Sequence, residues 1–291
     1  MTFVAAGVAA AVAYALVPGL AKGTLRRSLV VDGVERSYLV HEGGGAKPGR
    51  PLLLVMHGWG GDGAGIEERT RGAFDRVADR DGAVVAYPDA LGAKPRWNDG
   101  APVAPGDRAP DDLRFLAKLI DTLATEFGVD RRRVFAAGFS NGASMAYRLA
   151  CERPDLVAAV ATVAGGMSAA VASRCPVGET VSVIGMHGTA DPLVPLDSAI
   201  RNDLATWVRR DRCPSTPRSS PLPDLAPDDG TTTRVDTYGP CADGAAVTFY
   251  EIAGGGHAWP GGTSKIGRGA VSRDFDAAEV IWDFFQKHAR R

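Results

Sequence analysis

Short apolar runs alternate with longer amphipathic stretches along most of the chain. The runs are rich in branched and aromatic residues, and most are bounded by glycine or proline, a pattern typical of buried strands. Six such strands are predicted, at 52–56, 83–87, 134–137, 158–163, 181–186 and 246–252. Because helical stretches separate them, the sequence predicts a mostly parallel central sheet with helices on both faces.

Two of the helical stretches have a clear apolar face. Asp111 and Asp112 suit the start of the first, because a carboxylate accepts hydrogen bonds from the free N–H groups there. Apolar residues then recur at helical spacing at Leu113, Leu116, Leu119, Ile120, Leu123 and Phe127. The second helix is predicted from about 274 to 288, with Phe275, Ala278, Ile281, Trp282 and Phe285 inward.

The remaining segments carry turn signals rather than periodicity. Residues 28–31 and 35–40 flank Asp32-Gly33, which predicts an N-terminal antiparallel hairpin. Residues 93–107 and 214–240 show no periodicity and are rich in turn-forming residues. Both are predicted to be long irregular loops, either lids over a site or flexible connections.

The first residues differ in composition from the rest. Residues 2–18 are almost entirely apolar, and the first basic residue is Lys22. We therefore expect residues 1–25 to be a signal peptide, with a small-residue cleavage site at Ala13-Tyr14-Ala15, or an uncleaved anchor, since a basic start is missing. Residues 26–291 are then one catalytic domain. The protein is expected outside the cell, with membrane contact only if the N-terminal segment is retained.

Four cysteines agree with export, because disulfides persist in oxidising compartments. Three pairings are possible. We favour Cys213 with Cys241, across a polar loop, and Cys151 with Cys175; four buried free thiols are the alternative. No two cysteines or histidines have the spacing of metal ligands, and no metal or cofactor is expected.

Length and charge exclude some classes of protein. With 291 residues, 45% of them hydrophobic, the chain can bury a full core. Its net charge is −1 and its Lys and Arg residues are not clustered. Nucleic acid and anionic membrane surfaces are therefore not expected as partners.

The chemistry centres on Gly138-Phe139-Ser140-Asn141-Gly142, which lies between a predicted strand and a predicted helix. Glycines two positions before and after a serine permit a sharp turn that exposes the side-chain oxygen. Because 36 of the residues are glycine, the pattern is weak alone. The motif indicates the nucleophile turn of a serine hydrolase. In serine hydrolases with this turn, an acid and then a histidine follow the serine along the chain, each after a strand. Asp191 and His257 meet that expectation.

A nucleophilic serine also requires N–H donors for the oxyanion of the tetrahedral intermediate. The glycine-rich loop His57-Gly58-Trp59-Gly60-Gly61 follows the strand at 52–56, in the position of the lipase oxyanion loop. The backbone N–H groups of Trp59 and Asn141 are the candidate donors. The side chains of Trp59, Trp97 and Trp259 are candidates to line a substrate groove, and Trp97 and Trp259 are the candidate substrate contacts; packing is the alternative for each of the three.

With these motifs in place, the chain resembles the secreted α/β-hydrolase family of polyhydroxybutyrate depolymerases and feruloyl or acetylxylan esterases. The resemblance runs from about residue 28 to the end, through the segments at 53–61, 96–98, 138–152, 187–191 and 255–261. It implies an α/β-hydrolase fold, a Ser140, Asp191 and His257 triad, the Trp59 donor, and small-molecule or polymeric ester substrates.

The chain departs from the family pattern in two segments, and two alternatives to an ester hydrolase stay open. The segment Asp99-Gly100-Ala101 lacks the cysteines that many relatives have there, and the long 213–241 segment puts any transfer of substrate preference in doubt. A non-catalytic polymer-binding relative is one alternative, favoured by a displaced Asp191 or an occluded Ser140. A peptidase of the same fold is the other, although the length leaves no room for a separate specificity domain.

Overall fold

The computed structural model of the protein describes residues 23–45, 48–102, 109–175, 178–263 and 268–290. The strands are β1 Thr24–Val31, β2 Val34–Glu42, β3 Arg50–Met56, β4 Val84–Pro88, β5 Val129–Phe139, β6 Ala159–Val163, β7 Ser182–Gly188, β8 Arg218–Pro221, β9 Thr232–Tyr238 and β10 Val247–Ala253. The helices are α1 Gly63–Arg69, α2 Ala73–Asp81, α3 Asp112–Phe127, α4 Asn141–Glu152, α5 Ala169–Ala172, α6 Ser198–Arg210 and α7 Ala277–Lys287. The cleavage site predicted near Ala13 lies outside the described residues.

All the described strands join one sheet in the order β1-β2-β4-β3-β5-β6-β7-β10-β9-β8. The six strands from β4 to β10 in that order pair in parallel. This confirms the mostly parallel centre, which brings the carboxyl ends of these strands to one edge of the sheet. Ligands of open α/β sheets bind at that edge.

The predicted N-terminal hairpin is present as β1 and β2. Asp32 and Gly33 connect the strands with φ angles of 52° and 80°. Two successive positive φ values are typical of the turn that matches strand twist, and Asp followed by Gly tolerates them.

The core has two layers, one on each face of the sheet. Leu52 and Leu54 of β3 pack in the layer that contains α3 and α4, whereas Leu53 and Val55 pack in the layer with α2 and α7. This alternation follows from the period of two along a strand. Helices on both faces therefore bury the centre of the sheet completely.

The prediction of an irregular loop at 214–240 is wrong in part, because β8 and β9 lie within it. They pair antiparallel with each other, and β9 pairs antiparallel with β10. The segment is bounded by a disulfide between Cys213 and Cys241, and a second disulfide joins Cys151 to Cys175. This is the pairing that the sequence favours.

The last helix begins later than predicted. Asp276 accepts a hydrogen bond from the Ala278 N–H and caps α7, so Phe275 lies before the helix. No helix in the described ranges is both long enough and apolar enough to cross a membrane.

Candidate active site

Ser140 lies on the turn between β5 and α4, with φ 55° and ψ −119°. A positive φ is rare outside glycine, and such strain persists only where the surroundings fix the backbone. Here neighbouring backbone segments approach the turn closely and fix it. A Cβ atom at Gly138 would lie 2.1 Å from the Gly142 carbonyl oxygen, and one at Gly142 would lie 2.4 Å from the Met56 carbonyl oxygen. Only glycine fits at these two positions, and the turn leaves Ser140 half-buried.

The two predicted partners of Ser140 meet each other. Asp191 follows β7 and His257 follows β10, so both lie at the carboxyl edge of the sheet. His257 Nδ1 lies 2.7 Å from Asp191 Oδ2, and both side chains are buried. Ser140 and His257 line the same cavity. The structure therefore places His257 in contact with Asp191 and on the same cavity as Ser140.

Asp191 is held as a carboxylate. Burial would raise its pKa, but hydrogen bonds from His257 and from the backbone N–H groups of Val194 and Leu193 outweigh burial and hold the pKa below its ordinary value. Its Oδ1 accepts from these two N–H groups at 2.9 and 2.8 Å. An ionised Asp191 fixes the proton of His257 on Nδ1, which leaves Nε2 as an acceptor.

The histidines at the ends of β3 and β7 have structural roles. His57 Nε2 accepts a hydrogen bond from the Ala90 N–H, and its Nδ1 donates to the Gly58 carbonyl. His187 Nε2 donates to the Val194 carbonyl. Burial lowers the pKa of both His57 and His187, so both rings are neutral near pH 7.

The glycine-rich loop after β3 packs against the serine turn. A Cβ atom at Gly58 would lie 3.3 Å from Ser140 Cβ. The N–H groups of Gly60 and Gly61 donate to the carbonyls of Pro95 and Gly58, which fixes the course of the loop around Trp59. Asn141 is the first residue of α4, where an N–H group has no partner within the helix. The loop that carries Trp59 and the helix start at Asn141, the two sources of candidate oxyanion donors, thus both adjoin the serine turn.

The side chain of Asn141 has a role that the sequence reasoning missed. Its Oδ1 accepts from the Trp97 N–H at 2.7 Å, and its Nδ2 donates to Asp99 Oδ2 at 2.8 Å. The amide therefore ties the start of α4 to the segment around Trp97. No sequence motif indicates this contact, because it joins positions far apart in the chain.

Of the three tryptophans predicted to line a substrate groove, Trp97 and Trp259 lie in the core, and for these two the prediction is wrong. Trp97 and Trp259 are both 0% exposed. Trp97 Nε1 donates to the His57 carbonyl, and the Trp259 ring packs edge-on against Phe74. Trp59 is 68% exposed and is the tryptophan that lines the cavity beside Ser140.

Two cavities meet at the candidate nucleophile and share Trp59, Ser140 and Leu193. The smaller cavity, of about 280 Å³, is also lined by His257 and Arg69. The larger cavity, of about 560 Å³, extends over Asn141 and the chain after β6. An extended molecule could therefore cross Ser140 and occupy both sides. Among the described residues, no group of three or more His, Cys, Asp or Glu side chains is arranged to hold a metal ion.

A parallel sheet covered by helices, with a serine on a sharp turn after a central strand, defines an α/β-hydrolase. Residues 43–206 match the phospholipase/carboxylesterase family, and the chain belongs to that family. Its reaction class is carboxylic-ester hydrolysis.

Individual relatives agree with this class. A protein of Nocardia uniformis subsp. tsuyamanensis with the provisional name esterase NocK is 33% identical over 290 residues, covering 90% of this chain and 82% of that protein. Feruloyl esterase C of Emericella nidulans is 27% identical over 266 residues, covering 86% and 83%. The chain spans 41% of the length of feruloyl esterase B of Piromyces equi.

Among solved structures, an acetyl xylan esterase from Aspergillus awamori superposes with a TM-score of 0.64. The alignment covers 87% of this chain and 94% of that chain at 15% sequence identity. At this identity the likeness establishes the fold alone.

Proposed function

We propose that the protein is an extracellular serine esterase in which Ser140, His257 and Asp191 form the catalytic triad. The observation that carries this proposal is the 2.7 Å contact between His257 Nδ1 and Asp191 Oδ2, beside a cavity that Ser140 and His257 line together. A buried histidine oriented by an ionised acid, next to a serine on a strained turn, is the arrangement that nucleophilic acyl transfer requires.

The reaction has two halves. His257 Nε2 accepts the proton of Ser140 while the serine oxygen attacks the ester carbonyl, and the N–H groups of Trp59 and Asn141 stabilise the oxyanion. His257 then donates the proton to the leaving alcohol, and the acyl group remains on Ser140. Water attacks this acyl-enzyme with His257 again as the base, which releases the acid and restores the serine.

The substrates are esters from plant polymers or polyesters. Support comes from the relatives named feruloyl esterase and from the two open cavities that meet at Ser140. Together the cavities offer room for an acyl group on one side and a sugar-sized alcohol on the other.

Secretion belongs to the same proposal. The segment before β1 acts as a signal peptide or anchor, and the catalytic domain begins with that strand at Thr24, slightly before the boundary at residue 26 that the sequence predicts. Support comes from the disulfides Cys151–Cys175 and Cys213–Cys241, since such bonds persist in oxidising compartments.

The test compares the protein with its Ser140→Ala variant, both produced under oxidising conditions. The substrates are 4-nitrophenyl acetate and butyrate, methyl ferulate and polyhydroxybutyrate, and a fluorophosphonate probe reports on a reactive serine. Hydrolysis and labelling that are both lost in the variant support the proposal. A folded protein that is inert to every ester and to the probe would instead be a polymer-binding relative, and cleavage of an amide without an ester would indicate a peptidase.

A further inference from the structure

The segment that contains β8 and β9 reaches the carboxyl edge of the sheet. Strand β9 is antiparallel to β10, and its first residue, Thr232, pairs with Ala253 at the end of β10. The loop of residues 222–231, here called the tip loop, directly precedes β9 and therefore lies at that edge. A Cβ atom at Gly254 would lie 2.4 Å from the Gly230 carbonyl oxygen. The tip loop thus packs closely on the chain that follows β10.

A second segment connects the tip loop with the candidate histidine. Residues 268–274, here called the strap, run beside His257. The His257 N–H donates to the Arg268 carbonyl at 2.7 Å, and the Arg268 N–H donates to the His257 carbonyl at 3.3 Å. The Gly256 N–H donates to the Ala270 carbonyl at 2.9 Å. The backbone of His257 is therefore bonded directly to the strap.

Two carboxylates join the strap to the tip loop. Asp274 of the strap is 7% exposed, and its Oδ1 accepts from the N–H groups of Leu225 at 2.9 Å and Ala226 at 3.2 Å. In the other direction, Oδ2 of Asp229 in the tip loop accepts from the Arg273 N–H at 2.7 Å. Hydrogen bonds from backbone N–H groups to a carboxylate are stronger than those between neutral groups. The tip loop and the strap therefore hold each other in place.

We propose that Asp229 and Asp274 are positioning residues for His257, which they brace through the strap. The inference rests on the proposed function, in which His257 is both the general base and the general acid. Asp191 is held by its own loop, so its contact with His257 is kept only if the backbone of His257 is fixed as well. Small displacements of a reacting group are costly in rate, and the brace opposes such displacements.

The disulfide of the same segment is separate from this brace. Cys241 follows the end of β9, where Tyr238 pairs with Val247 at the start of β10. The bond between Cys213 and Cys241 therefore lies toward the opposite edge of the sheet. The brace depends on the tip loop rather than on the bond.

The test uses two esters with the same acyl group, ethyl butyrate and 4-nitrophenyl butyrate. Ethoxide needs the proton that His257 donates in order to leave, whereas 4-nitrophenolate leaves without one. A displaced imidazole should therefore slow acylation by the ethyl ester more than acylation by the nitrophenyl ester. The ratio of the two kcat/KM values is taken on each enzyme, so differences in the folded fraction cancel. A purely structural role would lower both values equally.

Three variants of the anchors and one control are compared with the wild type. Asp274→Ala removes the acceptor of the two tip-loop N–H groups, whereas Asp274→Asn keeps an oxygen that can accept from both. Asp229→Ala removes the other anchor, and it alone decides if Asp274→Ala does not fold. Asp130→Ala is the matched control, because Asp130 accepts from the Arg132 N–H at 2.9 Å near the amino end of β5.

We expect each alanine variant of the two anchors to lower the ratio of the ethyl to the nitrophenyl ester roughly threefold to tenfold. A misplacement of about 1 Å can cost roughly 10²-fold in rate, and a loop that loses one anchor should shift by less. Asp274→Asn should recover most of the wild-type ratio, and Asp130→Ala should leave it unchanged.

An equal loss on both esters in the anchor variants would assign Asp229 and Asp274 to stability alone and overturn the inference. A wild-type ratio in folded Asp229→Ala and Asp274→Ala would overturn it as well. If the wild type hydrolyses neither ester, the proposed function itself fails, which is distinct from hydrolysis with a ratio that no variant changes.

Discussion

The carboxyl end of the parallel strands and the outer edge formed by β8 and β9 are built in different ways. At the carboxyl end, backbone segments approach so closely that Gly138 and Gly142 admit no side chain. At the outer edge, all four residues of β8 are exposed, and the Cys213–Cys241 bond closes the segment that contains it. One region is fixed by many close contacts and the other by pairing at an edge and one covalent bond.

This difference indicates how chemistry and stability are divided in the molecule. The proposed reacting groups need fixed positions, because small displacements are costly in rate. The outer edge lies away from them and needs only to stay folded. Substitutions at the carboxyl end should therefore change activity far more than unfolding, and substitutions at the outer edge should do the reverse.

The largest effect is expected from Ser140→Ala, which removes the proposed nucleophile. We expect kcat/KM for 4-nitrophenyl acetate to fall roughly 10⁴-fold or more, because the acyl-enzyme can no longer form. The thermal unfolding midpoint should stay close to that of the wild type, since a serine and an alanine differ by one oxygen atom and this residue is only half-buried. Substantial residual hydrolysis in a folded variant would reject Ser140 as the nucleophile.

Asp191→Asn should have the next largest effect. The backbone N–H groups of Leu193 and Val194 hold the oxygen at the Oδ1 position, so the new amide NH₂ would face His257 Nδ1. The imidazole would then carry its proton on Nε2 and could not accept one from Ser140. We expect kcat to fall roughly 10³- to 10⁴-fold, measured beside labelling by the fluorophosphonate probe. A wild-type rate of labelling would argue against this role of Asp191.

At the outer edge, replacing both Cys213 and Cys241 by serine should act on stability. The bond closes a loop with a sequence separation of 28 residues. Its loss should lower the free energy of unfolding by roughly 3–4 kcal/mol, seen in urea titrations at 25 °C. The bond lies away from the cavities, and substitutions at distant sites usually act independently. The kcat/KM of the folded variant should therefore stay within about twofold of the wild type. A large loss of activity would show that the two regions are coupled.

Replacing Asp211, which lies close to Cys213 in the chain, should have a smaller effect on stability, and this effect should depend on pH. Burial, opposed in part by Arg210, raises the pKa of Asp211 to about 7 from an ordinary 3.8. Between pH 3.8 and about pH 7 the folded protein therefore binds a proton that the unfolded chain releases. The contribution of Asp211 to the free energy of unfolding is full below about pH 4 and is lost as the pH rises through 7. In Asp211→Asn, thermal midpoints measured from pH 4 to 8 should decline less than in the wild type. An identical slope in both proteins would contradict the shift.

Much of the fold follows from the sequence because its signals are local. The parallel strands are apolar runs, and the hairpin turn has Asp32-Gly33 at its centre. The strands β8 and β9 lack such a signal. Arg218–Pro221 is wholly exposed, and β9 alternates through threonine as well as valine, so neither resembles a buried strand.

The residues of the candidate site likewise fall into those that local sequence signals predict and those that they do not. Ser140, Asp191 and His257 can be predicted because each follows a strand, and the sheet brings strand ends together. The burial of Trp97 and Trp259 and the bridging amide of Asn141 depend on packing between distant segments. Arg69 escapes prediction for the same reason, since no motif marks an arginine that reaches a cavity from the end of a short helix.

The hydrogen bonds from the Leu193 and Val194 N–H groups to Asp191 have a consequence for directed evolution. The same short segment orients the proposed acid and, through the Leu193 side chain, forms a wall of both cavities. A library at position 193 would therefore alter turnover and selectivity together. Trp59 lends the proposed oxyanion hole only its backbone N–H, while its side chain is largely exposed. Position 59 is thus where selectivity can be retuned while the donor is kept.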